Sequence, residues 1–261
     1  MPVAAQDAPT RAVIWHELVT QNIAAVQPFY GELFGWTFAK PTALRNGTFV
    51  AARLDGTPVA GLVQADASPS VNTSQWLTYF HVTDVEGAVN TATSQGATVL
   101  VRPTVLRGRG RGALMTDPEG APFAVLSPDA PAPWQGKAPM NGWLWNELFA
   151  KEPVTAAGFY GKVLGFETLK RTVGGADYDA FGLGGTPVAG LMRIPVDGVH
   201  PNWLPMIRVD DVDRIVAKAT ALGGRVIMPP RPDVRHGNAA IIADPSGAAF
   251  AVQVWDGATG T

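Results

Sequence analysis

Apolar positions along this chain follow two alternating rhythms. Ala12 to Val19 suits a strand, after which Ile23, Val26, Phe29, Tyr30, Leu33 and Phe34 return at helical spacing until Gly35 supplies a stop. Pro28 lacks an amide donor, so it shifts the start of that helix or bends its first turns. Three short strands follow, near Thr37, at Phe49 to Leu54 and at Val59 to Gln64, and the unit reads β-α-β-β-β. The order then recurs. Trp76 to Val82 suits a strand, Asp84 caps a helix carrying Val85, Ala88, Val89 and Ala92 that closes near Gly96, and strands around Val99, Leu114 and Ala124 complete the unit. Three strands per helix favour mixed α+β sheets over a doubly wound parallel sheet.

The whole pattern returns in the second half. Trp15, Glu17, Leu18, Phe29, Tyr30, Gly31 and Gly35 recur 130 positions on as Trp145, Glu147, Leu148, Phe159, Tyr160, Gly161 and Gly165. TPVAGL begins at both Thr57 and Thr186, and Asp117-Pro118 with Gly120 and Phe123 returns as Asp244-Pro245 with Gly247 and Phe250. Asp211 and Gly223 frame a helix striped by Val212, Ile215, Val216, Ala219 and Leu222. A weaker echo inside each half implies four small units. The chain is a tandem duplication: residues 11–128 form one domain, 129–140 a connector along the proline-rich seam Pro128 to Pro139, and 141–256 the second domain.

Composition narrows the function classes. With 261 residues, 46% hydrophobic and 16% charged, the chain can bury a substantial core. A formal net charge of -2 gives no overall pull toward nucleic acid or an anionic membrane, so neither is an expected partner. The absence of cysteine removes disulfides, thiolate nucleophiles and Cys-ligated zinc, and four histidines leave little for a His-rich site. The opening MPVAAQDAPTR has no basic segment leading into an apolar stretch, and no later run is apolar for the length of a bilayer crossing. The expected location is cytoplasmic.

The segments WHELVTQNIAAVQPFYGELFGW and WNELFAKEPVTAAGFYGKVLGF, VTDVEGA and VDDVDRI, and TDPEGAPFAVL and ADPSGAAFAVQ together resemble the vicinal oxygen chelate superfamily. That group contains glyoxalase I, extradiol dioxygenases, and fosfomycin and bleomycin resistance proteins. The resemblance covers nearly the whole chain, twice, and is greatest to tandem two-domain glyoxalase-like or hydroxylase-type members. It implies an α+β fold of tandem glyoxalase-like domains, each made of two βαβββ modules whose curved mixed sheet surrounds a cup. Metal-dependent relatives place a ligand on the first strand of each module and another on its last. Here those positions fall on Trp15, Leu77, Trp145 and Leu204, and on Ala60, Ala124, Ala189 and Ala251. A one-residue slip would expose Gly61 or Gly190 instead. None of these side chains donates to a metal, so neither the family's metal nor another cofactor is expected.

Strand alternation places Glu17 with Trp15, and Tyr79 and His81 with Leu77, facing the first cup. Glu147, Met206 and Arg208 correspond in the second. One reading makes Glu17 a proton acceptor, Tyr79 a donor and His81 an acid/base group. The other makes Glu17 and Glu147 structural acceptors and His81 a half-exposed strand end. Trp15, Trp76, Trp145 and Trp203 either wall the cups for a planar ligand or fill them, and the alanines at Ala60 and Ala124 favour open space. His16 alternates toward the packed core. The loop Leu106 to Gly112, with three arginines among glycines, and its counterpart with Arg235 and His236 offer a phosphate or carboxylate grip or a solvated hairpin. No phosphate-loop, dinucleotide or serine-elbow pattern is present.

The resulting expectation is a protein that binds a small aromatic or amphipathic molecule in a Trp-lined cup, with any chemistry in the first half. The alternatives are a lyase, isomerase or dioxygenase with a relocated metal site, a metal-free acid/base enzyme using Glu17, or an interaction protein with filled cups. Two joined halves can pack as a pseudo-symmetric monomer, and a homodimer also fits.

Overall fold

Side-chain caps begin three of the four helices among the described residues. Asn22, Asp84 and Asp211 accept from the backbone N–H three residues on, at 3.1, 3.0 and 2.9 Å. The first and third helices end on Gly35 and Gly165 in the left-handed region, φ 74° and 72°, where a side chain would be strained. The computed structural model describes residues 12–44, 47–65, 74–106, 108–130, 138–173, 176–194 and 199–255. Most of the proline-rich seam, Arg107 and the opening residues 1–11 lie outside that set.

The first unit comprises β1 (Val13–Thr20), α1 (Ile23–Phe34), β2 (Thr37–Phe38), β3 (Thr42–Leu44), β4 (Gly47–Leu54) and β5 (Thr57–Ala65). The second has β6 (Gln75–His81), α2 (Val85–Ser94), β7 (Thr98–Leu106), β8 (Gly110–Thr116) and β9 (Pro122–Pro128). Then come β10 (Trp143–Ala150), α3 (Pro153–Leu164), β11 (Glu167–Val173), β12 (Ala176–Leu183) and β13 (Thr186–Arg193). The fourth unit is β14 (Asn202–Val209), α4 (Val212–Ala221), β15 (Arg225–Met228), a 3-10 turn at Arg235–Gly237, β16 (Ala239–Ala243) and β17 (Ala249–Val254). The βαβββ order therefore holds, with β3 as an added partner of β4. Pro28 sits inside α1, which nevertheless starts at Ile23.

Each half contributes one open mixed sheet. The first runs β2-β4-β5-β1-β6-β9-β8-β7, with β3 beside β4, and the second β11-β12-β13-β10-β14-β17-β16-β15. In both, the two first strands pair antiparallel at the centre, and each pairs in parallel with the last strand of its own unit.

One face of each sheet is buried against helices, and the helices pack across the halves. Phe29, Tyr30 and Phe34 of α1 share a core with Ile215 of α4 and Phe250 of β17, while Phe80 and Phe123 of the first sheet pack with Phe159, Tyr160 and Trp203 of the second half. This pairing explains two sequence signatures at once. The Tyr30 hydroxyl of the first FYG donates to Asp244 of the second DPxG turn at 2.9 Å, and Tyr160 donates to Asp117 at 3.1 Å. Each hydroxyl also accepts from an indole N–H, of Trp76 at 2.9 Å and of Trp203 at 2.8 Å. The other oxygen of each aspartate holds its own turn, accepting from the backbone of Ala121 and Ala248. At the centre, His16 bonds Asn146 at 2.8 Å and stacks on Trp143, so it is the core histidine that alternation predicts.

Candidate functional site

The remaining face of each sheet carries its own apolar cluster, at the place of the expected cup. Alternation on β6 sends Trp76, Thr78 and Phe80 to the helix side and Leu77 and Tyr79 into the first cup. There they meet Trp15 of β1, Ala124 and Leu126 of β9, and Leu106 and Leu114. The second cup is lined by Trp145, Leu204, Met206 and Ala251, with Phe149 and Ile241 beside them.

The first cup contains a buried polar triad. Glu17 accepts at Oε1 from the Tyr79 hydroxyl at 2.9 Å and at Oε2 from Arg109, which reaches in from the β7–β8 loop. The Arg109 guanidinium lies 4.8 Å from the centre of the Phe49 ring and retains 19% side-chain exposure against 7% for Glu17, so it forms the outer wall. Burial, reinforced by the Glu17 charge, pushes the Tyr79 phenol well above its usual range and keeps it a donor. Trp15 Nε1 is buried without a hydrogen-bond partner.

The second cup repeats this plan with one tyrosine moved. Arg235, from the 3-10 turn, pairs with Glu147 Oε2 at 3.0 Å. Met206 replaces Tyr79, and the phenol comes instead from Tyr178 of β12, whose hydroxyl accepts from Trp145 Nε1 at 3.0 Å. Burial raises Glu147 above the ordinary carboxylate range, against the opposing charge of Arg235. Arg235 itself adopts φ 48°, a left-handed conformation that aims the side chain inward.

Several sequence expectations change. Ala60 and Ala189 lie in the helix-side cores, and the cup-facing residues of β5 and β13 are Gly61 and Gly190, paired with Glu17 and Glu147. A Cβ on Gly61 would come within 2.7 Å of Phe49 Cε2, 3.1 Å of Glu17 Oε2 and 3.3 Å of Trp15 Nε1. Trp76 and Trp203 are not cup walls, because their parity sends them to the core. His81 lines a separate cleft of about 430 Å³ between α2 and α3, with Ala12, Val82, Asp84, Phe166 and Leu183. Arg208 Nη1 donates to the Ala138 carbonyl at 2.9 Å and anchors the chain entering the second half, away from Glu147. Arg109 and Arg111 bind Glu17 and Glu86, so both are committed to carboxylates of this chain. The two arginine loops do grip carboxylates, though those of Glu17 and Glu147 in this chain, which sequence reasoning did not join to Arg109 and Arg235; Phe49 and Tyr178 it missed. The recurrence of an arginine in the same loop of both halves, alongside a glutamate on both first strands, was the available signal.

The metal implied by the family resemblance does not fit these residues. The inward positions offer Trp15, Leu77, Gly61 and Ala124 in one cup and Trp145, Leu204, Gly190 and Ala251 in the other, with no donor among them. A relocated set does not assemble, since His16 is on the opposite face and His81 in the cleft. Among the described residues no three His, Cys, Asp or Glu side chains cluster for an ion. No helix among them is long and apolar enough to cross a membrane.

Comparison with known proteins agrees with the fold. Residues 144–252 match the model of the Glyoxalase/Bleomycin resistance protein/Dioxygenase superfamily, and residues 14–126 match that of a glyoxalase-like domain. The chain is 31% identical over 249 residues to "Putative glyoxylase CFP32" of Mycobacterium tuberculosis, covering 91% of this chain and 92% of that protein. It is 29% identical over 254 residues to the anthracycline biosynthesis protein DnrV of Streptomyces peucetius, covering 92% of each. The Mn(II)-bound glyoxalase from Novosphingobium aromaticivorans superposes with a TM-score of 0.62 at 17% identity, over 94% of this chain and 83% of that one.

Proposed function

Because the chain belongs to the glyoxalase, bleomycin resistance protein and dioxygenase superfamily, we propose that it is a small-molecule-binding member whose first cup takes a planar aromatic or amphipathic ligand. The observation that carries this reading is the Glu17, Tyr79 and Arg109 triad, buried beneath apolar walls of Trp15, Leu77, Leu114 and Leu126. An apolar cup with a few convergent polar groups suits a ring system bearing a polar substituent. The similarity to a protein named for anthracycline biosynthesis supports a fused-ring aromatic class of ligand.

Within this reading Arg109 closes the cup, Tyr79 donates, and Glu17 orients both. Both Glu17 oxygens already accept hydrogen bonds, so the carboxylate positions groups first and becomes a proton acceptor only when Arg109 swings away. Each cup is built within one half of one chain, so a monomer suffices for binding.

The test is calorimetric titration of the full chain with 1-naphthol, a fused-ring phenol. Binding is expected in the wild type and in Ala251→Leu, and lost in Ala124→Leu, which fills the first cup at a fully buried position. Circular dichroism and melting temperature establish that each variant folds. Binding unaffected by Ala124→Leu, or lost only in Ala251→Leu, would refute the assignment to the first cup.

A further inference from the structure

The two cups share a frame and differ, besides the Tyr79–Glu17 bond that Met206 cannot make, in the partner of one indole N–H. On β4 and β12, Ala51 and Ala180 pair with Gly61 and Gly190, so Phe49 and Tyr178, each two residues earlier, occupy equivalent places. In the second cup the Tyr178 hydroxyl sits over Gly190, where an added Cβ would come within 2.0 Å of it and 2.5 Å of Glu147 Oε1. There it accepts from Trp145 Nε1. Phe49 packs its ring edge over Gly61 in the same way but has no oxygen, and the equivalent indole nitrogen, Trp15 Nε1, has no acceptor. A buried N–H without a partner is rare in native proteins and calls for an explanation. The Tyr79 hydroxyl donates to Glu17 and is not within hydrogen-bonding reach of the indole nitrogen.

We propose that the missing acceptor is the ligand's: the first cup takes a planar aromatic molecule through a quinone or phenol oxygen that accepts from Trp15 Nε1, replacing the hydroxyl that Tyr178 provides in the second cup. This rests on the reading of the first cup as a binding site and names what that site recognises. Phe49 is then the specificity-determining residue, since its lack of a hydroxyl leaves the indole free for the ligand. The second cup carries its own phenol, so its indole N–H is paired internally, while Glu147 Oε1 is left without a hydrogen bond. The class follows from the geometry: an acceptor oxygen on a flat apolar skeleton, seated between the Trp15 indole and the leucines of β6, β8 and β9.

The experiment titrates the full chain calorimetrically with three probes of one shape, naphthalene, 1-naphthol and 1,4-naphthoquinone, against wild type, Phe49→Tyr and Tyr178→Phe. The two oxygenated probes are expected to bind wild type about tenfold or more tighter than naphthalene, the scale of one buried hydrogen bond. Phe49→Tyr should erase that preference, and Tyr178→Phe should add a second site. Nitrogen-15 labelling of tryptophan gives a readout without ligand, in which the Trp15 indole proton moves downfield in Phe49→Tyr as it gains an acceptor. Equal binding of all three probes, still sensitive to Ala124→Leu, would overturn the oxygen contact while leaving the cup as a site. A preference for 1-naphthol alone would mean that the oxygen is read as a donor by Glu17, and would overturn the role of Trp15. Failure of every probe to bind would remove the reading of the cup and this inference together.

Discussion

Removing Arg109 tests whether the polar triad is a stabilising device or a retained functional one. In Arg109→Ala the Glu17 carboxylate, only 7% exposed, keeps the Tyr79 hydroxyl and loses its countercharge. Breaking a buried ion pair on one side costs about 3–5 kcal/mol, because the remaining charge is left in a poorly polarisable place. Arg109 is 19% exposed, so water can partly replace it, which moves the cost toward about 2–4 kcal/mol. Loss of the guanidinium from the Phe49 ring adds roughly 0.5–1 kcal/mol. The expected total is about 2.5–5 kcal/mol. The double variant Glu17→Gln with Arg109→Met removes both charges and keeps most of the volume, and should return to within about 1 kcal/mol of wild type. Urea unfolding followed by circular dichroism and tryptophan fluorescence supplies the four corners of the cycle. If the double variant is as stable as wild type but no longer binds 1-naphthol, the pair is present for binding. A loss under about 0.5 kcal/mol in Arg109→Ala would refute the reasoning, since it would show Glu17 to be solvated.

Further predictions concern the frame around the cups. Tyr30→Phe and Tyr160→Phe each strand a buried indole N–H and an aspartate oxygen, and should each cost about 2–4 kcal/mol by urea unfolding, with similar values reflecting the equivalent networks. Glu147, Asp117 and Asp244 all have pKa values raised by burial, so the native state holds their protons more tightly than the unfolded chain. Their contribution to stability is full below the ordinary carboxylate range and is lost as pH rises through the folded values; unfolding curves across that range should show the fall, and Glu147→Gln should flatten it. Gly190→Ala, whose Cβ meets the Tyr178 hydroxyl and Glu147, should destabilise more than Gly61→Ala, whose Cβ meets mainly a ring edge of Phe49 that can turn aside. Paired melting curves decide it.

Local patterns carried most of the fold into the sequence. The strand and helix periods, the Asp84 and Asp211 caps and the glycine stops each arise from contacts within a few residues, and they appear where the pattern placed them. The cup assignments depended instead on parity, and parity errs when the reference residue is uncertain. Trp76 and Leu77 are neighbours on one strand and cannot both face the cup; Leu77 and Tyr79 do, so Trp76 had to lie in the core. TPVAGL has no polar alternation to anchor its phase, which left Ala60 and Gly61 one residue apart as alternatives, and the register shift opposite it, between Ala52 and Arg53, marks the irregularity at that point. The arginine of each triad joins its glutamate across 92 and 88 residues, a distance over which no local signal acts.

The arrangement of faces also explains why the two cups can differ while the Tyr–Asp–Trp networks between the halves do not. Each helix-side core draws residues from both halves, so a change at Tyr30 or Asp117 disturbs a network whose other member lies in the opposite half. The cup faces point away from that core, and each is lined by residues of one half alone. A substitution there is felt by a single sheet. The cups differ accordingly, with Tyr79 against Met206, Phe49 against Tyr178, and Leu126 against Gln253, while the Tyr–Asp–Trp networks match in composition and closely in distance. A duplicated chain of this design can pair the indole donor internally in one cup and leave it open in the other, without weakening the interface between the halves.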